Sequence, residues 1–176
     1  PRGVAIDQEG HIIVADCSNH RVQVFSREGR FLSKFGSRGV ENGQFKNPYG
    51  VAVDQEGHIV VTGYNNHRVQ VFSREGHFLS KFGSQGSEDG QFKNPRGVAI
   101  DQEGHIIVAD CSNHRVQVFS REGRFLSKFG SRGVENGQFK NPYGVAVDQE
   151  GHIVVTGYNN HRVQVFSREG HFLSKF

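Results

Sequence analysis

The sequence predicts an all-β repeat fold, and three observations carry that prediction. The chain is four copies of a 47-residue unit, residues 1–47, 48–94, 95–141 and 142–176, the last without its tail. Pro1, Pro48, Pro95 and Pro142 open the units and are the only prolines. A period in the forties marks a repeat architecture. The second observation is composition: 23 glycines beside a hydrophobic fraction of 35% suit many short strands joined by turns, not a helical bundle. The third is local pattern, because each unit contains four short apolar or alternating stretches and one long glycine-rich connection.

In the first unit, Gly3-Val4-Ala5-Ile6-Asp7 reads as the first strand. Gln8-Glu9-Gly10 is a tight connection in which Gly10 can adopt positive φ. His11 to Ala15, rich in β-branched residues, is a buried second strand. Asp16-Cys17-Ser18-Asn19 is a polar loop. His20 to Phe25 alternates, with Val22 and Val24 on one face and Arg21, Gln23 and Phe25 on the other. Ser26-Arg27-Glu28-Gly29 repeats the turn chemistry, and Arg30 to Phe35 is the fourth strand. Gly36 to Asn47 crosses to the next unit, and its lone Phe45 is expected to plug the seam between neighbours.

Each unit is therefore a four-stranded antiparallel meander that cannot bury both faces by itself. Radial stacking of such sheets gives a β-propeller with one unit per blade. If each end face of an open arc is ~400 Å², leaving it wet forgoes on the order of 10 kcal/mol, as much as a whole domain's stability. An isolated arc is thus disfavoured against closure as four blades, two chains forming eight, or chains sharing units until six-bladed rings close. Every unit is a complete sheet, so no strand is left to pair across a closure. Association of chains into a homo-oligomer is the favoured outcome.

A second period overlies the first. Residues 1–82 and 95–176 are identical, and the two alternating unit types differ at 11 positions. Natural repeats drift apart, so identity of this length implies an engineered or very recently duplicated gene. No apolar run approaches the roughly 20 residues needed to span a membrane, no signal-peptide pattern is visible, and the net charge of +3 permits a polyanionic partner without demanding one. Cys17 and Cys111 occupy equivalent loops of different units and are expected to be free thiols.

The pattern GVAID…HIIVAD…NHRVQVF…G.FL.KFG…G…GQF..P resembles the NHL-repeat family over the whole chain. In particular, it resembles the repeats that end the tripartite-motif proteins of animals. That resemblance implies a cytoplasmic β-propeller, usually six-bladed, that binds RNA or protein on one face; other NHL-like propellers are lyases with a metal in the central channel. Two departures stand out: four units are few for a ring, and Gly63 and Gly157 replace the acidic residue found at Asp16 and Asp110.

In a propeller the loops between second and third strands share a face with the crossovers. That face collects Arg2, Tyr49, Arg96 and Tyr143 beside the channel, Tyr64 and Tyr158 in the loops, and Arg38, Lys46 and Lys93 in the crossovers. Arginine and tyrosine alternating around a pore rim can form a platform for single-stranded RNA, with rings stacking on bases and guanidinium groups meeting phosphates. Equally, they can solvate the rim or contact protein. Cys17 and His20 have a Cys-x-x-His spacing, but His67 and His161 persist where Tyr64 and Tyr158 replace the cysteine, so the histidine is expected to satisfy loop backbone. Asp7, Asp54, Asp101 and Asp148 are expected to accept the amides of the following turn; facing a channel, they could alternatively bind a cation. His11 is expected to be exposed. No serine has a partner that would activate it and no phosphate-cradling loop precedes a helix, so no catalytic, cofactor-binding or metal-ligating set is expected. The leading expectation is a non-enzymatic, symmetric self-assembling scaffold; an RNA-binding module using the arginine–tyrosine face and a protein-interaction propeller are the alternatives.

Overall fold

The computed structural model describes residues 1–176 and contains sixteen strands in four sheets. Blade 1 comprises β1 (Gly3–Ile6), β2 (Ile12–Asp16), β3 (Arg21–Phe25) and β4 (Phe31–Phe35). Blade 2 comprises β5 (Pro48–Val53), β6 (Ile59–Gly63), β7 (Arg68–Phe72) and β8 (Phe78–Phe82). Blade 3 comprises β9 (Pro95–Ile100), β10 (Ile106–Asp110), β11 (Arg115–Phe119) and β12 (Phe125–Phe129). Blade 4 comprises β13 (Pro142–Val147), β14 (Ile153–Gly157), β15 (Arg162–Phe166) and β16 (Phe172–Lys175). Strand order within every sheet follows the chain, all pairs are antiparallel, and no strand crosses between blades.

The alternation of the third strand sets the packing. Phe72 meets Phe35 of blade 1, with ring centroids 4.8 Å apart, while Val69 joins the core shared with blade 3. Each crossover phenylalanine plugs a seam as expected: Phe45, Phe92 and Phe139 are fully buried, with Phe45 5.6 Å from Phe72, Phe92 5.5 Å from Phe119 and Phe139 5.6 Å from Phe166. The crossover backbone is held by the next blade's third strand. Arg115 donates to the carbonyls of Ser87, Glu88 and Gln91, and Gln117 to that of Gln91. Buried backbone polar groups of a long loop are thereby satisfied.

Glycine is required where the fourth strand of one blade crosses the outer turn of the next. At Gly76 (φ +89°), a Cβ would lie 2.6 Å from the Phe35 ring, and at Gly123 (φ +88°) 2.7 Å from that of Phe82. On the same side, Arg74, Arg121 and Arg168 reach back to Glu9, Glu56 and Glu103 at 3.3–3.4 Å, a ladder of exposed ion pairs.

Three apolar cores join blades 1 to 2, 2 to 3 and 3 to 4, and none joins 4 to 1. The arc is open. Val4 is 65% exposed, whereas the equivalent Val51 and Val98 are 6% and 7% exposed. Phe176 is 78% exposed, whereas its equivalents Phe35, Phe82 and Phe129 are half-buried. Leu32, Leu79, Leu126 and Leu173 are exposed to the same degree in every blade, so they belong to the outer edge and not to the open ends.

Candidate functional site at the arginine–tyrosine rim

The rim of the channel is built on close backbone approach. A Cβ at Gly50 would lie 2.3 Å from the carbonyl oxygen of Arg96, so glycine lets β5 and β9 converge at the axis. Thr62 locks this approach: its hydroxyl accepts the Gly50 amide at 2.8 Å and donates to the Arg96 carbonyl at 2.6 Å. Arg96 is therefore fixed at its base. Its guanidinium Nη1 donates to Tyr49 Oη at 2.9 Å and Nη2 to Tyr64 Oη at 3.2 Å. The same guanidinium lies 4.9, 4.8 and 4.3 Å from the ring centroids of Tyr49, Tyr64 and Tyr143. Cation–π attraction is enhanced by burial, and Tyr49 is 8% exposed.

The structure thus brings Arg96, Tyr49, Tyr64 and Tyr143 together from three blades, with Arg2 5.5 Å above the Tyr49 ring. Tyr158 stacks on Tyr143, centroids 5.4 Å apart and planes at 23°, but is 63% exposed. The remaining rim candidates have different surroundings. Lys46 and Lys93 lend backbone carbonyls to the amides of Asn65 and Ser112 in the next blade's loop, and Arg38 is exposed in the crossover beside a bridge to Phe45. Most of the cationic and aromatic surface at the axis is therefore already engaged internally.

The loops between second and third strands reveal two solutions to one problem. In blade 3, buried Asp110 accepts Arg115 Nε at 2.8 Å, Gln117 Nε2 at 3.2 Å, Asn113 Nδ2 at 2.9 Å and the Lys93 amide at 2.8 Å. Burial nevertheless raises its pKa above the ordinary carboxylate value, against the pull of these donors. Asp16, in the more open blade 1, has its pKa lowered: what burial it has works upward, and the hydrogen bonds from Asn19 and Arg21 outweigh it. In blade 2, Gly63 supplies no carboxylate. Asn66 takes over the Lys46 amide, and Arg68 Nε is buried without a partner, as is Arg162 Nε in blade 4. The alternation of aspartate and glycine was visible in the sequence; its consequence for the arginine five residues later was not.

His20, His67 and His114 stand in left-handed backbone, and their Nδ1 atoms accept the amides of Asn47, Asn94 and Asn141 at 3.0–3.1 Å. This is the loop-satisfying role expected from the sequence. Burial lowers the pKa of His67 and His114. Cys17 and Cys111 are free and buried, and burial raises the Cys111 thiol pKa. Asp7 accepts the Glu9 and His11 amides at 2.9 and 2.8 Å, the turn-capping role expected, and Asp54, Asp101 and Asp148 do the same. His11 departs from expectation: it is half-buried, because its Nδ1 pairs with Asp7 Oδ2 at 2.9 Å. At the hairpin end, Asp54, Asp101 and Asp148 line a cavity of about 150 Å³ together with Gln55, Gln102 and Gln149.

Comparison with known proteins agrees with this architecture. Part of Protein brain tumor from Drosophila melanogaster is 48% identical over 48 residues, 27% of this chain and 5% of that protein. E3 ubiquitin-protein ligase TRIM71 from Rattus norvegicus is 59% identical over 34 residues, 19% of this chain and 4% of that protein. The chain thus spans a small fraction of the relatives it matches. A protein of unknown function from Bacteroides caccae superposes over 99% of this chain and 60% of its own, with a TM-score of 0.72 and 18% identity. Streptogramin B lyase superposes over 98% of this chain and 53% of its own, with a TM-score of 0.74 and 13% identity. At such identities these likenesses concern fold alone. No helix is long and apolar enough to cross a membrane. The NHL repeat pattern matches residues 1–25, 45–72, 92–119 and 139–166, one match in each blade, and the chain belongs to the NHL-repeat family.

Proposed function

We propose that the chain is a non-enzymatic, symmetric scaffold that completes its propeller by associating with further copies of itself. One observation carries this reading. The open face of blade 1 has the sequence of the blade 3 face that packs on blade 2, and the open face of blade 4 has the sequence of the blade 2 face that packs on blade 3. Each open end is thus one half of an interface whose other half the same chain supplies. Head-to-tail contact would bury Val4, Ile6 and Phe31 of one copy against Phe176 of another. The long identity between the two halves of the chain supports an engineered or freshly duplicated, consensus-like origin for this symmetry.

Molecular mass in solution tests the reading. Sedimentation equilibrium over a wide concentration range is expected to give a multiple of 19.6 kDa. A strict monomer throughout would overturn it. The arginine–tyrosine face favours contact between protein surfaces over an RNA platform, because Arg96 is spent on three tyrosine rings and Tyr49 is buried. Titration of short single-stranded RNA at low salt is expected to show no binding; a salt-sensitive association would replace the scaffold with an RNA-binding module.

A further inference from the structure

The clamp that holds Arg96 is present twice in the chain and filled once. Tyr49 and Tyr64 of blade 2 receive the arginine of blade 3, through two hydrogen bonds to their hydroxyls and two ring faces. Tyr143 and Tyr158 of blade 4 are the same residues in the same sequence context. They stack in the same way, centroids 5.4 Å apart against 5.7 Å for Tyr49 and Tyr64, but the outer ring faces solvent. The threonine that fixes the backbone of Arg96 also recurs: Thr156 Oγ1 is exposed, accepts the Gly144 amide at 2.7 Å and donates only to the Gly144 carbonyl at 3.5 Å, where Thr62 donates to the Arg96 carbonyl at 2.6 Å. Conversely, Arg2 is the sequence equivalent of Arg96 and is exposed. It has its following-blade contact, over Tyr49, but no preceding-blade tyrosines.

We propose that Tyr143 and Tyr158 form a guanidinium-binding clamp, with Thr156 beside it to receive the backbone carbonyl, and that its occupant is Arg2 of a second copy. The inference rests on the self-assembly reading and names the contact that fixes its register. Two further pairs fall into place with the same docking. Gly29 (φ +88°) has nothing within 4 Å of where a Cβ would be, whereas Gly76, Gly123 and Gly170 are each covered by the last phenylalanine of the preceding blade; Phe176 of the second copy is that phenylalanine for Gly29. Arg27 and Glu150 would add the next rung to the ladder formed by Arg74 with Glu9, Arg121 with Glu56 and Arg168 with Glu103. The clamp selects arginine over lysine, because a planar guanidinium can lie against two ring faces while donating from two nitrogens to two hydroxyls, and a compact ammonium cannot do both. Its partners are neutral, so this contact resists salt better than the ion-pair rung does.

The test is sedimentation equilibrium of wild type, Arg2→Ala, Arg2→Lys and Tyr158→Ala, with Gly29→Leu as a block on the seat of Phe176. All of these positions are at the exposed ends and leave the three internal cores intact. Arg2→Ala and Tyr158→Ala are each expected to weaken association about ten-fold or more, which corresponds to about 1.4 kcal/mol. Arg2→Lys should recover little of that loss. The double variant should lose no more than either single one, because both remove the same contact. Arg2→Ala assembling like wild type while Gly29→Leu abolishes assembly would overturn the clamp and leave self-assembly standing. A wild-type monomer at every concentration would overturn both.

Discussion

Gly63→Asp should stabilise the protein, although it adds a buried charge. Blade 3 shows the target state, in which Asp110 and Asn113 occupy the loop together and satisfy Arg115 Nε. In blade 2 the same arginine nitrogen, on Arg68, is buried and unpartnered. Gly63 does not have positive φ, so a side chain meets no backbone strain. Its Cβ would lie 3.2 Å from Asn66 Cβ and Oδ1, and Asn66 must shift by a few tenths of an ångström toward the position of Asn113. Satisfying a buried donor recovers about 1–3 kcal/mol. Replacing glycine restricts the unfolded chain by about 0.4–1 kcal/mol. Against these stands desolvation of the carboxylate, which the raised pKa of Asp110 shows to be incompletely offset. The net expectation is about 1–2 kcal/mol in favour of the variant. With a urea m-value of about 2 kcal/mol/M, the midpoint should rise by about 0.5–1 M. The reciprocal change, Asp110→Gly, strips four donors and should cost about 3 kcal/mol. A Gly63→Asp midpoint at or below wild type would refute the account of the alternating aspartate.

Phe92→Ala should cost about 4 kcal/mol in urea unfolding, because a fully buried ring of about 200 Å² leaves a cavity in the seam between blades 2 and 3. Gly123→Ala and Gly29→Ala share a left-handed backbone worth about 1 kcal/mol, but only the first strikes a phenylalanine ring, so at monomer concentrations thermal melts should show Gly123→Ala the worse by about 1–3 kcal/mol. Stability should fall as pH drops below about 6.5. His67 and His114 have pKa values lowered in the folded protein, so the unfolded chain binds more protons in that window, and protonation also removes the acceptor used by the Asn94 and Asn141 amides. The slope approaches about 1.4 kcal/mol per pH unit for each histidine; urea midpoints that are flat between pH 7 and 5 would contradict this.

The blades themselves were legible because periodicity is a local signal. Alternation in Arg21-Val22-Gln23-Val24-Phe25 and the glycine turns on either side fixed the strand order, and a phenylalanine alone in a polar crossover pointed to the seam it fills. The persistence of His67 beside Tyr64 was enough to assign the histidine to loop backbone, which the Asn94 amide bond bears out. The rim was half legible. Sequence spacing placed Arg96 and the tyrosines on one face but could not show that one guanidinium satisfies rings of two neighbouring blades, because that depends on how closely Gly50 lets two backbones approach. Pairings between blades, such as Arg121 with Glu56 65 residues before it, were likewise invisible until the curvature of the arc was known.

The rim also sets a rule of parity for how such an array can lengthen or shorten. An arginine-bearing blade draws on the tyrosines of the one before it, so deleting a lone internal 47-residue module would set two blades of one kind side by side, arginine against arginine or tyrosine against tyrosine. Growth or loss in couples of modules preserves every such junction. The step by which this array can extend is therefore the pair, even though its structural block is the single sheet.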